Sequence, residues 1–403
     1  MKKFDCVVIG GGMVGAASAL SFAQLGLKVA VVEKSEPEAF SQEQALDLRV
    51  SAISLASQYL LEQLEAWPQI LSWRVCPYKR LGVWEKESAY TEFNAKEINQ
   101  PHLGHIVENR LIQLSLWQQL TAQKNITLFC PEQLESLSQT NDKVTLKLSK
   151  ESIEAKLVLA ADGANSQVRS MVNIGLTGWD YGQSAMLINV ETQVPQQDIT
   201  WQQFFPTGPV AFLPLPSKVP CQQKGFLGQG SLVWYHQKEE IKRLSALSNE
   251  KLTEEIHAKF PSRLGKVNVV AKGAFPLTRR HANSYKKGRV VLIGDSAHTI
   301  NPMAGQGVNL GFKDVKALQT IMATAISTGQ NWDDEAVLIK YEKERRKDNL
   351  LMMSGMDVLY STFSHPSTLV KTFRNLGFQA FNKLPIVNSV IKNKALSYAC
   401  GVK

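Results

Sequence analysis

The sequence predicts an α/β fold, α+β overall, in which a discontinuous Rossmann-like dinucleotide-binding domain carries an inserted antiparallel β-sheet domain. Three observations predict it. Near the start of the chain, an apolar run ends in a glycine-rich turn and a helix-forming stretch. A β-rich stretch with frequent aromatics and turn residues spans about 184–277. A second apolar run at 289–293 then returns to the parallel pattern.

Residues 4–9 are long and apolar enough for one buried parallel strand. They end in Gly10-x-Gly12-x-x-Gly15, after which Ala16, Ala17, Ala19, Leu20 and Ala23 favour a helix. Gly10 permits the tight turn, Gly12 lets backbone approach a pyrophosphate, and Gly15 lets the helix pack on the strand. The phosphates then meet unpaired N–H groups at the helix N-terminus. A second run at 29–32 ends in Glu33, 23 residues after Gly10, placed to accept hydrogen bonds from an adenosine ribose. A lone glycine motif is weak evidence; strand, turn, helix, strand and acid in this order point to a dinucleotide. Met1-Lys2-Lys3 before the uncharged residues 6–27 imitates a signal peptide or membrane span. Asp5, the glycine triplet and the lack of a small-residue cleavage pattern argue against both.

Further along, residues 110–123 read as an amphipathic helix with Asn109 as its N-cap, and 156–161 as a buried strand ending in Asp162-Gly163. The β-rich runs are 185–192, 201–205, 210–215, 231–235 and 267–275; the chain is mainly helical from Asp333. The expected division is a dinucleotide-binding domain at 1–75, 100–180 and 279–340, a β-sheet domain at 76–99 and 181–278, and a helical region at 341–403.

The chain has 403 residues, 44% hydrophobic and 20% charged, enough for a sizeable core and about two domains. Its five scattered cysteines have no CxxC spacing, which suits a reducing cytoplasm and argues against a disulfide framework or zinc. Seven histidines without HExxH or paired spacing predict no metal. The net charge of +9 is uneven: no acid follows Asp357, while Lys371, Arg374, Lys383, Lys392, Lys394 and Lys403 alternate with apolar residues. No nucleic-acid recognition motif accompanies them. A membrane-surface element or a helical cap with a solvated basic face are the two readings.

Gly294-Asp295-Ser296-Ala297-His298, with Gly305-Gln306-Gly307-Val308-Asn309 after Pro302, resembles the second flavin fingerprint of the class A flavoprotein aromatic hydroxylases, the p-hydroxybenzoate hydroxylase-like fold. The resemblance implies that Asp295 binds the ribityl chain of FAD. It also implies that Pro302, Gly305, Gln306, Gly307 and Asn309 pass beside the flavin ring. Asp162-Gly163-Ala164-Asn165-Ser166 with Arg169 resembles the family's middle motif, tied to FAD and to nicotinamide cofactor use. Residues 47–54 and 107–110 are similar to the ubiquinone-biosynthesis branch, which implies contacts from Arg49 and Arg110 to FAD. Stretches at 200–203, 208–215, 260–265, 273–280 and 354–357 resemble a branch member acting on a ring that already carries methyl and methoxy groups.

The family implies FAD as cofactor, NAD(P)H and O2 as co-substrates, and a polyprenyl quinol or phenol as substrate. The site would be cytoplasmic, with a contact to the inner-membrane surface or a biosynthetic complex; a homo-oligomer is open. A quinol ring is already electron-rich, so no catalytic side chain is nominated. His298 is expected to orient its turn rather than act as a base, and Trp201, Phe204, Phe205 and Phe212 to be β-core. Another ring position or aromatic substrate, a flavin-dependent reductase, or a non-catalytic lipid-binding subunit are the alternatives.

Overall fold

The computed structural model describes residues 1–300, 307–364 and 385–401. Its first sheet is built on Lys2–Ile9, which pairs in parallel with Val29–Val32 on one side and Ser152–Ala160 on the other. Ile126–Phe129 and Val290–Leu292 extend it in parallel at the two ends. Cys6, Val7 and Val8 have no exposed surface, as a parallel strand covered on both faces requires. The apolar run at 289–293 therefore does return to the first sheet, beside a strand more than a hundred residues earlier.

Helices Met13–Ala23 and Gly307–Ser327 cross closely at Gly311, where a Cβ would lie 2.5 Å from the Val14 side chain. Helix Asn109–Ala122 packs on the same core through Leu116 and Leu120. The expected N-cap at Asn109 is displaced by one residue. Glu108 occupies that position without capping, and Asn109 begins the helix while its Oδ1 accepts from the Ser51 hydroxyl at 2.7 Å. The Glu108 carboxylate is engaged elsewhere, by Arg74.

The second sheet is centred on Leu176–Thr192, which runs antiparallel to both Gly228–Gln237 and Val267–Ala282. Val210–Leu215, Ile199–Gln203, Arg80–Trp84 and Thr91–Asn94 complete it. Alternation sorts its two faces. Val210, Phe212, Leu232 and Trp234 join Trp84 and Trp201 under helices Lys238–Ser245 and Asn249–Lys259, while Ala211, Leu213, Val233 and Tyr235 face the opposite side. The strands expected at 185–192 and 267–275 are longer than their apolar runs. The expected boundaries at 180/181 and 278/279 fall inside these two continuous strands, whose register shifts between Asp180 and Ser184. A bulge lets one strand serve both regions, so composition changes where the backbone does not break.

A three-stranded sheet, with Gly104–Glu108 between Val50–Ser54 and Cys76–Tyr78, bridges the two large ones. C-terminal helix Glu335–Ser364 packs on the first sheet's side, and the last helix, Pro385–Cys400, buries Leu396 and Cys400 against Leu55, Ala95 and Leu103. Among the described residues no helix is long and apolar enough to cross a membrane. Of the basic tail, Lys371, Arg374, Lys383 and Lys403 lie outside the described residues.

Arg74 and Glu108 form a bidentate ion pair at 2.6 and 2.9 Å, each only 2% exposed. The same Arg74 donates to the carbonyls of Gln44 and Ala45, and Glu108 accepts from the Asp47 backbone N–H. The pair thereby anchors residues 44–47 to the bridging sheet. Arg74→Leu leaves the Glu108 charge buried alone and is expected to lower stability by about 3–5 kcal/mol, read by chemical denaturation. An unchanged midpoint would show that the pair does not hold this segment.

Candidate active site

The turn after Lys2–Ile9 assembles as its glycines require. Gly10 adopts φ +103°, and a Cβ there would meet the Ala161 carbonyl; a Cβ at Gly15 would collide with the Gly10 carbonyl. Gly12 is different, because a Cβ there would meet nothing within 4 Å. It faces a cleft of about 490 Å³ lined by Gly10, Glu33, Glu132, Asp162 and Gly163. The first helical turn at Met13 contains no acidic residue, so no carboxylate of the helix itself occupies its N–H groups and positive dipole end.

Glu33 accepts from the Gly11 N–H at 2.5 Å and from the Lys34 N–H at 2.7 Å, so it braces the turn as well as lining the cleft. Sequence reasoning missed two other braces: Trp117 Nε1 and Gln113 Nε2 both donate to the Gly11 carbonyl, at 2.6 and 3.0 Å. They lie on the helix face that reads only as core. Asp162 caps helix Gln167–Met171 through one oxygen, accepting from the Gln167 and Val168 N–H groups. Its other oxygen and one oxygen of Glu132 are buried acceptors with no partner among the described residues. Open space at Gly12, free N–H groups and unpartnered carboxylate oxygens fit a dinucleotide, whose phosphates accept and whose ribose and adenine donate.

The third motif packs beside the same helix start. Gly294 takes φ +58° against Val14, and Asp295 stands exposed on that turn. Crowding by protein pushes the Asp295 carboxyl up, opposed by His298 and Arg49, so the exposed Arg49 guanidinium lies within electrostatic reach of it. Arg110 forms a bidentate pair with Asp47 at 2.5 and 2.9 Å. Asp47 is thus paired across the fold rather than with its neighbour Arg49. Arg169, buried, donates to the carbonyls of Ser296 and Ala164 and bolts the middle motif to the third.

His298 is buried, with Nε2 2.6 Å from Asp314, which suits an orienting role. Asn309 also orients: its side chain accepts from the Ser54 N–H and Ser57 hydroxyl and donates to the Ala52 carbonyl. Gly307 begins the helix that carries it, while Pro302, Gly305 and Gln306 lie outside the described residues.

Across the Ala52–Ser54 strand from Asn309 lies an apolar cavity of about 300 Å³. Its walls come from the second sheet at Phe204 and Tyr235, the bridging sheet at Tyr78, and the last helix at Leu396 and Cys400. Trp201 and Phe212 stack on each other at 5.6 Å in the core, as expected. Phe204 is the exception. It packs with Val233 and Tyr235 on the cavity side, three residues after Trp201 and therefore on the face that alternation gives to Gln202.

A profile described as FAD binding domain matches residues 3–353. The 3-demethoxyubiquinol 3-hydroxylase of Escherichia coli (strain K12) is 46% identical over 399 residues, 99% of this chain and 98% of that protein. The chain belongs to the ubiquinone-biosynthesis branch of the FAD-dependent aromatic hydroxylases. Other members of this family extend the similarity. Ubiquinone hydroxylase UbiL of Rhodospirillum rubrum is 34% identical over 95% of this chain and 87% of its own length. The mitochondrial ubiquinone biosynthesis monooxygenase COQ6 of Homo sapiens is 30% identical over 98% and 92%. The fold matches that of p-nitrophenol 4-monooxygenase PnpA from Pseudomonas putida, with a TM-score of 0.78 at 21% identity over 97% of both chains.

Gly12 separates binding from folding. Gly12→Asp supplies a good helix N-cap, so stability should hold or rise by about a few tenths of a kcal/mol. Its side chain and charge fill the phosphate approach, so the purified variant is expected to carry no FAD by absorbance. Gly15→Ala should instead fail to fold. Normal flavin content in Gly12→Asp would dismiss the cleft as the cofactor site.

Proposed function

We propose that this protein hydroxylates the ring of a demethoxyubiquinol-type polyprenyl benzoquinol, using FAD, NAD(P)H and O2. One observation supports it most: Asn309, within the flavin motif, is hydrogen-bonded to the strand whose Ala52 and Ser54 line the apolar cavity. The cofactor motif and a cavity of substrate character therefore share one wall. Bound FAD supplies the redox chemistry, taking reducing equivalents from NAD(P)H and activating O2. The chain's part is to hold and to exclude. Gly12 and the helix N-terminus receive the phosphates, with Gly10 and Gly15 shaping the turn; Glu33, Asp162 and Asp295 offer acceptors; Arg49 offers positive charge near Asp295, while Arg110 acts from its pair with Asp47. The apolar lining keeps water from the ring, and an electron-rich quinol asks for no strong base.

In this reading 1–75, 100–180 and 279–340 serve the cofactor, 76–99 and 181–278 the substrate, and 341–403 completes the substrate side. The E. coli relative is named for a ring lacking one methoxy group. That is the methylated, methoxylated ring to which the stretches at 200–203 and 273–280 point. Cells lacking the gene are expected to accumulate 2-polyprenyl-3-methyl-6-methoxy-1,4-benzoquinol or its quinone by mass spectrometry. A less decorated polyprenylphenol would move the ring position. With purified holoenzyme, NAD(P)H oxidation stimulated by the quinol and dependent on O2 excludes a reductase and a non-catalytic subunit.

We also propose a cytoplasmic site of action beside the inner membrane, supported by the acid-free basic tail. The last helix walls the cavity, so truncation after Pro366 would remove that wall as well. Replacing Lys371, Arg374 and Lys383 together by Gln is the cleaner test. Sedimentation with anionic vesicles should fall while FAD content and NAD(P)H oxidation persist; unchanged sedimentation would dismiss the tail as the contact.

A further inference from the structure

Within the apolar cavity, most polar groups already have partners. The Ser54 hydroxyl is bound to Ser57, Thr200 donates to the Phe212 carbonyl at 2.7 Å, and the Cys400 thiol lies 3.5 Å from the Leu103 carbonyl. Tyr78 and Tyr235 do not. Among the described residues neither phenol hydroxyl makes a hydrogen bond, although Tyr235 is only 3% exposed. Gln202 also lines the cavity and is half-buried, but its amide both donates and accepts and so does not by itself select a ligand acceptor.

The two tyrosines come from different walls. Tyr78 ends the short strand Cys76–Tyr78 of the bridging sheet, and Tyr235 stands on the second sheet opposite Ala185. Each place is cleared by a glycine. A Cβ at Gly104 would lie 2.9 Å from the Tyr78 hydroxyl, and one at Gly208, whose φ is +125°, would lie 3.0 Å from the Tyr235 Cβ. Neither hydroxyl is sealed off by protein, so each opens onto the cavity, and a donor left there without a protein partner usually meets a ligand or water. Burial also pushes both phenols well above their ordinary range, so each remains an O–H donor at neutral pH and neither acts as a base.

We infer that Tyr78 and Tyr235 are positioning residues that donate hydrogen bonds to the two ring oxygens of the quinol, fixing which ring carbon faces the flavin motif. A para-benzoquinol carries its oxygens on opposite sides of the ring, and the cavity offers one unpartnered donor on each of two walls. The inference rests on the quinol reading of the cavity. It explains how an otherwise apolar site selects one carbon of a ring with several open or substituted positions.

The test uses full-length holoenzyme of wild type, Tyr78→Phe and Tyr235→Phe. The probes are a demethoxyubiquinol analogue with one prenyl unit and its two monophenols, each lacking one of the two ring hydroxyls. Each variant is expected to weaken quinol binding roughly 3- to 10-fold, read by flavin absorbance, and to lower the ratio of product formed to NAD(P)H oxidised. FAD content and Tm should be unchanged. Each monophenol, having lost one acceptor oxygen, should abolish the effect of one variant and leave the other's. Variants that bind the quinol as wild type does would overturn the inference. So would a fall in Tm with equal losses for quinol and both monophenols, which marks a structural hydroxyl. Failure of the wild type to bind or hydroxylate the quinol would instead sink the functional reading itself.

Discussion

The carboxylate of Asp314 is the point on which the flavin-side geometry depends. It has no exposed surface, yet it accepts from the Gly294 N–H at 3.0 Å, Arg345 Nε at 2.8 Å and Asn349 Nδ2 at 3.2 Å, with His298 Nε2 at 2.6 Å. Burial alone would push this acid up; His298 and Arg345 more than offset that and hold it well below the usual carboxylate range. A buried charge satisfied on every side tolerates few alternative arrangements. It ties Gly307–Ser327 and Glu335–Ser364 to the 294–298 turn, and so fixes where Asp295 stands. Asn349 carries the network on to the Tyr285 hydroxyl, which lies 2.9 Å from His281.

From that anchor, cofactor cleft and substrate cavity follow as neighbours. Asn309 lies five residues before Asp314 on the same helix and is bound to the 50–54 strand. The strand's Ala52 and Ser54 then face the cavity. On the other side, Arg74 and Glu108 hold residues 44–47 against the bridging sheet and bring Arg49 toward Asp295. The two large sheets have separate cores, and the small sheet between them sets their separation. The last helix closes the cavity from the far side, with Lys392 donating to the Glu92 carbonyl at 2.6 Å and Tyr398 to Asp348 at 3.1 Å. A chain end therefore shapes the space a ring would occupy.

Local patterning made the first sheet and the glycine turn legible, because a fully apolar parallel strand and a Gly-x-Gly-x-x-Gly turn are dictated by nearest neighbours. The second sheet was legible by alternation, but its strand ends were not. Leu176–Thr192 runs through Trp179, Asp180 and Gly182, where composition reads as a turn and only cross-strand pairing with 267–282 maintains the strand. Glu33 was nominated from type and spacing, and Asp162 and Asp295 from the resemblance to a family; that Glu33 braces Gly11 and that Asp162 is half-engaged as a cap was legible in neither.

The sequence by itself determined the order of three glycine-acid motifs, the class of cofactor they hold and the family to which the chain belongs. Those signals are short-range, and each motif carries its chemistry within one continuous stretch of chain. Tertiary structure alone decided the partners of the charges: Arg110 with Asp47, Arg74 with Glu108, and His298 and Arg345 with Asp314. It alone turned Phe204 and Tyr235 to one cavity with Tyr78 and Cys400, from segments more than a hundred residues apart. Such contacts are set by the packing of whole sheets and helices, and no local spacing encodes them.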